Sequence, residues 1–192
     1  ASGLSPRVVV STDSPEIADV ARAYGAEVPF VRPSNLATAD APKLPVLLHL
    51  VNWLEANGEK VDTLIDLDPT SPLRQVKDIH ACVALLDDQT DLVITGYESD
   101  KNPYFNMVEN HPDGYAGLVC KPSKEVFGRQ HAPRVYAMNA SIYVWRRSAL
   151  TASLWSSPRV RLYQMPRERS IDIDHPLDFD LVEMIMKRRQ PE

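Results

Sequence analysis

Val8-Val9-Val10-Ser11-Thr12-Asp13-Ser14-Pro15, with Ile17, Val20, Ala21, Tyr24 and Gly25 and then Val28-Pro29-Phe30-Val31, is the stretch that sets the fold class. A run of β-branched residues with no polar alternation predicts a strand buried on both faces, as in a parallel sheet. Ser14 suits an N-cap, Pro15 the first helical position and Gly25 the C-terminal stop. The helical spacing of Ile17, Val20, Ala21 and Tyr24 predicts an inward apolar face. Val28–Val31 reads as a second strand, so the unit is β-α-β, with a right-handed connection between parallel strands.

The same alternation continues outward. A helix is predicted from about Pro45 to Ala56, apolar at Leu47, Leu48, Val51 and Leu54 and stopped by Asn57-Gly58. Val61–Leu67 reads as a strand, Val76–Leu86 as a helix and Leu92–Thr95 as a strand. These segments predict an α/β fold with a mostly parallel, Rossmann-like sheet and helices on both faces. Ligands of such sheets bind beyond the carboxyl ends of the strands. After Tyr97 the pattern turns antiparallel. Tyr104–Glu109 and Tyr115–Cys120 flank an Asp113-Gly114 turn signal and predict a hairpin. Lys121, Lys124, Arg129 and Arg134 make a basic loop before Ala137–Arg146, a predicted strand. Ser148–Trp155 reads as a short helix and Val160–Gln164 as a strand. The chain is thus expected to be a single domain over residues 1–192, with residues 98–146 a small antiparallel β insertion. Exposed apolar strands there call for a partner subunit, so a homodimer is expected.

Composition narrows the function classes. The chain has 192 residues, 44% apolar and 24% charged, within the range of ordinary globular domains. A formal net charge of −5 argues against nucleic acid or an anionic membrane as a partner. Cys82 and Cys120 lack metal-ligand and C-x-x-C spacing, which predicts a reduced, cytoplasmic setting. No apolar run reaches the roughly 18–20 residues of a membrane span.

Near the C-terminus, Ser170-Ile171-Asp172-Ile173-Asp174-His175-Pro176 reads as a strand leading into a helix. On a strand, Ile171 and Ile173 would face a core while Asp172 and Asp174 project together, roughly 6–7 Å apart. That pair is either a polar strand edge or a seat for one Mg²⁺ or Mn²⁺. In the helix, Leu177, Leu181, Met184 and Ile185 make the apolar stripe. Asp68-Pro69-Thr70-Ser71-Pro72-Leu73-Arg74 is either a tight connection, with Thr70 or Ser71 capping the next helix, or a polar binding loop. Arg32 is either a solvated loop residue or a planar fork for an anion. Arg129-Gln130 is either surface charge or an anion contact. There is no Gly-rich phosphate loop, no nucleophile elbow and no zinc signature.

Six segments stand in order: Val8-Val-Val-Ser-Thr-Asp13, Arg32-Pro-x-x-Leu-Ala37, Asp68-Pro-Thr-Ser-Pro-Leu-Arg74, Arg129-Gln130, Met138-Asn-Ala-Ser-Ile-Tyr143 and Ile171-Asp-Ile-Asp174. In this the chain resembles the acylneuraminate cytidylyltransferase (CMP-sialic acid synthetase) family over nearly its whole length. The resemblance implies a nucleotidyltransferase that moves CMP from CTP to the anomeric hydroxyl of an acidic nine-carbon 2-keto sugar, releasing pyrophosphate. It implies that Asp172 and Asp174 are the metal and active-site aspartates, one holding Mg²⁺ (or Mn²⁺) on the triphosphate and the other helping to position or deprotonate the sugar hydroxyl. Arg32 and Ala41 match nucleotide contacts. Asp68 and Thr70 match the sugar-facing loop, Arg129 a sugar-binding arginine and Tyr143 an active-site tyrosine.

Two departures qualify the match. Many sialic-acid members carry Gln where this chain has Asp68, an acceptor-only group, so different sugar substituents should be read. A legionaminic- or pseudaminic-type acid, or a deaminated analogue, therefore fits as readily as N-acetylneuraminate. Second, the family's first strand, Gly-rich basic loop and helix have no counterpart, and Ala1–Ser5 matches the end of that helix. The domain is thus expected to be N-terminally incomplete, with that segment in a longer product or supplied separately. The alternatives are an eight-carbon Kdo-type synthetase and a non-catalytic sugar-binding or assembly subunit.

Overall fold

The computed structural model describes residues 3–4, 7–122, 126–151, 153–157 and 159–189. Residues 1, 2 and 5 of the expected helix tail, and Lys124 of the basic loop, lie outside that set. The chain divides into two compact units, the first made of the described parts of Ala1–Leu67, Gln75–Ile94 and Ile142–Tyr163. The second comprises those of Asp68–Arg74, Thr95–Ser141 and Gln164–Glu192.

In the first unit the expected β-α-β connection forms around α1 (Pro15–Ala23). The Ser14 hydroxyl accepts from the Ile17 amide at 3.2 Å, and Gly25 takes a left-handed φ of +85° after the helix. The flanking segments run parallel, as predicted, but meet only at two isolated bridges, Val9 to Glu27 and Thr12 to Val31. That is too narrow a surface to receive the helix. Ile17, Val20 and Tyr24 accordingly face outward at 56%, 59% and 89% exposure, and only Ala18 is buried. The inward stripe expected for α1 is therefore corrected.

Among the described residues this unit also holds α2 (Lys43–Ala56) and α3 (Val76–Ala84). The Asp78 carboxylate accepts from the Gln75 amide at 2.9 Å and closes the first turn of α3, so neither Thr70 nor Ser71 caps it. The sheet starts with β1 (Thr63–Leu67) and the first residues of β2 (Leu92–Glu98). Between them runs β6 (Ile142–Arg146), antiparallel to both, with Thr63 opposite Arg146 and Leu92 opposite Trp145. β1 and β2 consequently point the same way on either side of one reversed strand. Val51, Leu92, Val93, Ile142 and Val144 are fully buried here. Each such side chain contributes about 1.5–3 kcal/mol through removal from water. The helix expected over Ser148–Trp155 is a 3-10 turn at Arg147–Ala149 followed by a Ser-capped turn, with Ser156 Oγ donating to the Ser153 carbonyl at 2.6 Å. Short hydroxyl side chains compete for backbone partners and disfavour a helix there.

In the second unit, β2 continues from Thr95 and pairs with β5 (Tyr136–Met138), with Gly96 opposite Met138. The strand expected over Ala137–Arg146 is interrupted between β5 and β6, where Ala140 has a φ of 50°. A hairpin forms as expected, but shorter, from β3 (Val108–Asn110) and β4 (Ala116–Leu118), turning through Gly114 at φ +86°. β7 (Val160–Gln164), of which all but Gln164 belongs to the first unit, pairs with β2. Residues 170–174 form no strand, so alternation along a strand does not set the Asp172–Asp174 spacing. They lead into α4 (Pro176–Arg189), whose buried residue is Val182, while Leu177 is 76% exposed. The predicted stripe on α4 thus points mainly outward. No helix of the described residues is long and apolar enough to cross a membrane.

Candidate functional site

Five of the eight candidate residues, Asp68, Thr70, Arg129, Asp172 and Asp174, belong to the second unit. Its Asp68–Arg74 loop is fixed by its own arginine. The Arg74 guanidinium donates to the Asp68 carbonyl and to the Ser141 carbonyl, each at 2.7 Å. The Asp68 amide also donates to the Ser141 carbonyl at 3.3 Å, and Arg189 reaches the Leu73 carbonyl at 3.0 Å. The loop meets the Asp172–Asp174 segment directly, because the Ile173 amide donates to the Thr70 carbonyl at 2.9 Å. The structure thus brings Thr70 and the two aspartates together. Asp172 is half-buried and Asp174 exposed.

Beneath them lies a buried polar cluster centred on Asn139, 3% exposed. Its side-chain oxygen accepts from the Thr95 hydroxyl at 2.6 Å and the Ser141 amide at 3.3 Å. Its amide donates to Ser170 Oγ at 2.9 Å and faces Met165 Sδ at 3.3 Å. Its backbone carbonyl accepts from Ser71 Oγ at 3.0 Å. Such satisfied networks rigidify what they join. Here they join the loop, the β5–β6 break and the segment before Asp172.

Arg129 sits elsewhere in the second unit. It donates to the Asp100 carbonyl at 2.5 Å and lies 3.4 Å from the Asp100 carboxylate, which also pairs with Arg167. Arg129, Arg134, Asp100 and Asn102 line a groove of about 290 Å³ there.

Arg32, Ala41 and Tyr143 belong to the first unit. Arg32 Nε donates to Ser11 Oγ at 3.2 Å, and its terminal nitrogen also meets the Ser11 carbonyl. The fork is thus docked on the end of the Val8–Thr12 segment. Ala41 is half-buried and closes the exposed turn at residues 38–40, its amide donating to the Thr38 carbonyl at 3.1 Å. Tyr143 is 6% exposed and sits opposite Asp66 in the β1–β6 register. Lys43 Nζ lies 4.2 Å above its ring and 2.9 Å from Asp66 Oδ2. A cation over an aromatic face is attracted by the ring quadrupole, and here a carboxylate holds it in place.

Sequence reasoning missed Ser71, Asn139, Lys43, Asp66, Asp100 and Asp178 as site residues. Asn139 carried a signal, a polar amide inside an apolar strand-like run. The partners of the others become visible only once distant segments meet. Two carboxylates offer a hard, all-oxygen donor set, which suits Mg²⁺ or Mn²⁺ shared with phosphate oxygens. Among the described residues no group of three His, Cys, Asp or Glu could hold an ion on its own.

No protein-family model matches the chain. It is 39% identical to the post-translational flagellin modification protein B of Campylobacter coli over 192 residues, 98% of this chain and 80% of that protein. It is also 39% identical to the CMP-N,N'-diacetyllegionaminic acid synthase of Campylobacter jejuni, over 96% of this chain and 79% of that protein. A solved CMP-2-keto-3-deoxy-manno-octonic acid synthetase complexed with CTP shares the fold, at a TM-score of 0.64 and 16% identity, over 98% of this chain and 83% of that one. The chain therefore belongs to the family of CMP-nonulosonic-acid synthetases, the cytidylyltransferases of acidic nine-carbon sugars.

Proposed function

We propose that this protein transfers CMP from CTP to the anomeric hydroxyl of a legionaminic-type nonulosonic acid, releasing pyrophosphate. The observation that carries this reading is the 39% identity, across 96% of the chain, to a CMP-N,N'-diacetyllegionaminic acid synthase. The acceptor-only Asp68 supports it, because a carboxylate accepts hydrogen bonds from the N–H of acylamino groups and donates none at neutral pH.

The division of labour follows from side-chain chemistry. Asp172 and Asp174 are the residues that would hold a Mg²⁺ ion, which would supply charge neutralisation for the triphosphate. Asp174, the more exposed of the two, also accepts the proton of the attacking sugar hydroxyl. In the first unit Arg32 and the turn at Ala41 serve the nucleotide and Tyr143 serves the sugar; in the second, Asp68 and Thr70 orient the sugar. Arg129 receives the sugar carboxylate by exchanging its Asp100 contact for a substrate anion. Catalysis then rests on charge neutralisation and placement of the attacking oxygen rather than on a covalent intermediate. Exposed Val108, Tyr115, Val119 and Phe127 in the second unit support a homodimer, and the unpaired thiols of Cys82 and Cys120 a cytoplasmic setting.

The test is pyrophosphate release by the full gene product with CTP and separate nonulosonic acids. N,N'-diacetyllegionaminic acid should give the highest kcat/KM, and Asp68→Gln should shift preference toward N-acetylneuraminate. Equal turnover of all acids, unchanged by Asp68→Gln, would contradict the assignment.

A further inference from the structure

We propose that Ser71 and Asp178 are positioning residues that set the geometry of Asp172 and Asp174 from opposite ends. The proposal rests on the reading of that pair as the cation-binding carboxylates. Because residues 170–174 belong to no strand, the spacing of the two side chains must come from other contacts. The structure supplies one at each successive residue. Ser71 Oγ lies 3.4 Å from Asp172 Oδ1. The Ile173 amide donates to the Thr70 carbonyl at 2.9 Å. Asp178 Oδ2 accepts from the Asp174 amide at 3.2 Å and from the His175 amide at 2.9 Å.

Ser71 is suited to this role because its hydroxyl lies within reach of both the Asn139 carbonyl and the Asp172 carboxylate. It is fully buried, and the first turn of α3 is closed by Asp78 instead. Its single hydroxyl proton goes to the Asn139 carbonyl at 3.0 Å, which anchors the oxygen beside Asp172. Rotation about the Cβ–Oγ bond turns the same proton to Asp172 Oδ1, 3.4 Å away, without moving the serine backbone. The Asn139 carbonyl is itself immobilised by the contacts of its side chain to Thr95, Ser141 and Ser170. At the other end, Asp178 occupies the first turn of α4, where the helix dipole favours a carboxylate. It fixes the direction in which the chain leaves Asp174. Residues that hold metal ligands in this way typically change metal affinity by roughly 10–100-fold when removed.

The experiment measures Mn²⁺ binding to the full-length protein in the presence of CTP, by the EPR signal of free Mn²⁺. Thermal melts confirm folding of each variant. Ser71→Ala and Asp178→Asn should each weaken Mn²⁺ binding about tenfold. In an Asp172→Asn background the Ser71→Ala effect should vanish, whereas loss through general destabilisation would persist. Wild-type Mn²⁺ affinity in both folded single variants would overturn the positioning role. Failure of the wild-type protein to bind Mn²⁺ with CTP would instead overturn the cation reading on which it rests.

Discussion

Replacing Asn139 by alanine tests the structural heart of the second unit. The wild-type side chain is 3% exposed and makes short contacts to the Thr95 hydroxyl at 2.6 Å and Ser170 Oγ at 2.9 Å. A third, longer bond comes from the fully buried Ser141 amide at 3.3 Å. A typical net hydrogen bond contributes about 1 kcal/mol, and a buried donor left unpaired costs about 1–3 kcal/mol. Ser170 keeps its bond to the Pro166 carbonyl at 2.8 Å, so its loss is partial. The Ser141 amide has no such reserve in its side-chain partner. Summing two net bonds and one poorly satisfied amide gives a destabilisation of about 3 kcal/mol. For a chain of this size, that corresponds to a fall in Tm of roughly 6–12 °C. Far-UV circular dichroism against temperature and urea measures it. A loss below about 1 kcal/mol would refute the idea that this amide joins the loop to the strand break.

The other predictions concern single contacts. Ala140→Gly should leave Tm unchanged or raise it slightly, because relief of the left-handed φ of 50°, about 1 kcal/mol, offsets the entropy glycine gains when unfolded. Ala140→Val should lower Tm in the same melt. Lys43→Met should cost about 1 kcal/mol in urea titrations, since it removes the cation above Tyr143 and the partner of Asp66, whereas Lys43→Arg should be milder. Hydrogen bonds from Arg159, then from Ser157, hold the Asp91 carboxyl below its usual range. A depressed folded-state value means the contribution is present above the unfolded pKa, near pH 4, and fades as pH falls through the depressed one. Asp91→Asn should therefore flatten the fall of Tm between about pH 5 and pH 3 relative to wild type.

The parts of the fold legible from sequence were those governed by neighbours along the chain. Ser14, Pro15 and Gly25 bracket α1 because caps and stops act within one turn. Apolar β-branched runs located β1 and β2 for the same reason. What failed was inference across the chain. The spacing of Ile17, Val20 and Tyr24 describes an amphipathic helix, but not whether a surface exists to receive its stripe. Ile171 and Ile173 alternate with aspartates as in a strand, yet the Ile173 amide goes to Thr70 rather than to a ladder. Residues 137–146 read as one strand because the β-favouring run Ile142–Trp145 dominates the segment and masks the break at Asn139 and Ala140. The Asn139 partners Thr95 and Ser170 lie tens of residues away. At the candidate site the charged residues stood out by type, while Ser71 and Asp178 are ordinary loop and helix-start residues until their contacts are known.

The most direct test of the functional account is ³¹P NMR of the full gene product with CTP, Mg²⁺ and N,N'-diacetyllegionaminic acid. A new phosphodiester resonance from the CMP-sugar should grow in equal amount with pyrophosphate, and should be lost in Asp172→Asn. Persistence of unreacted CTP with the folded wild-type protein, or release of free CMP without a sugar phosphodiester, would contradict the functional account.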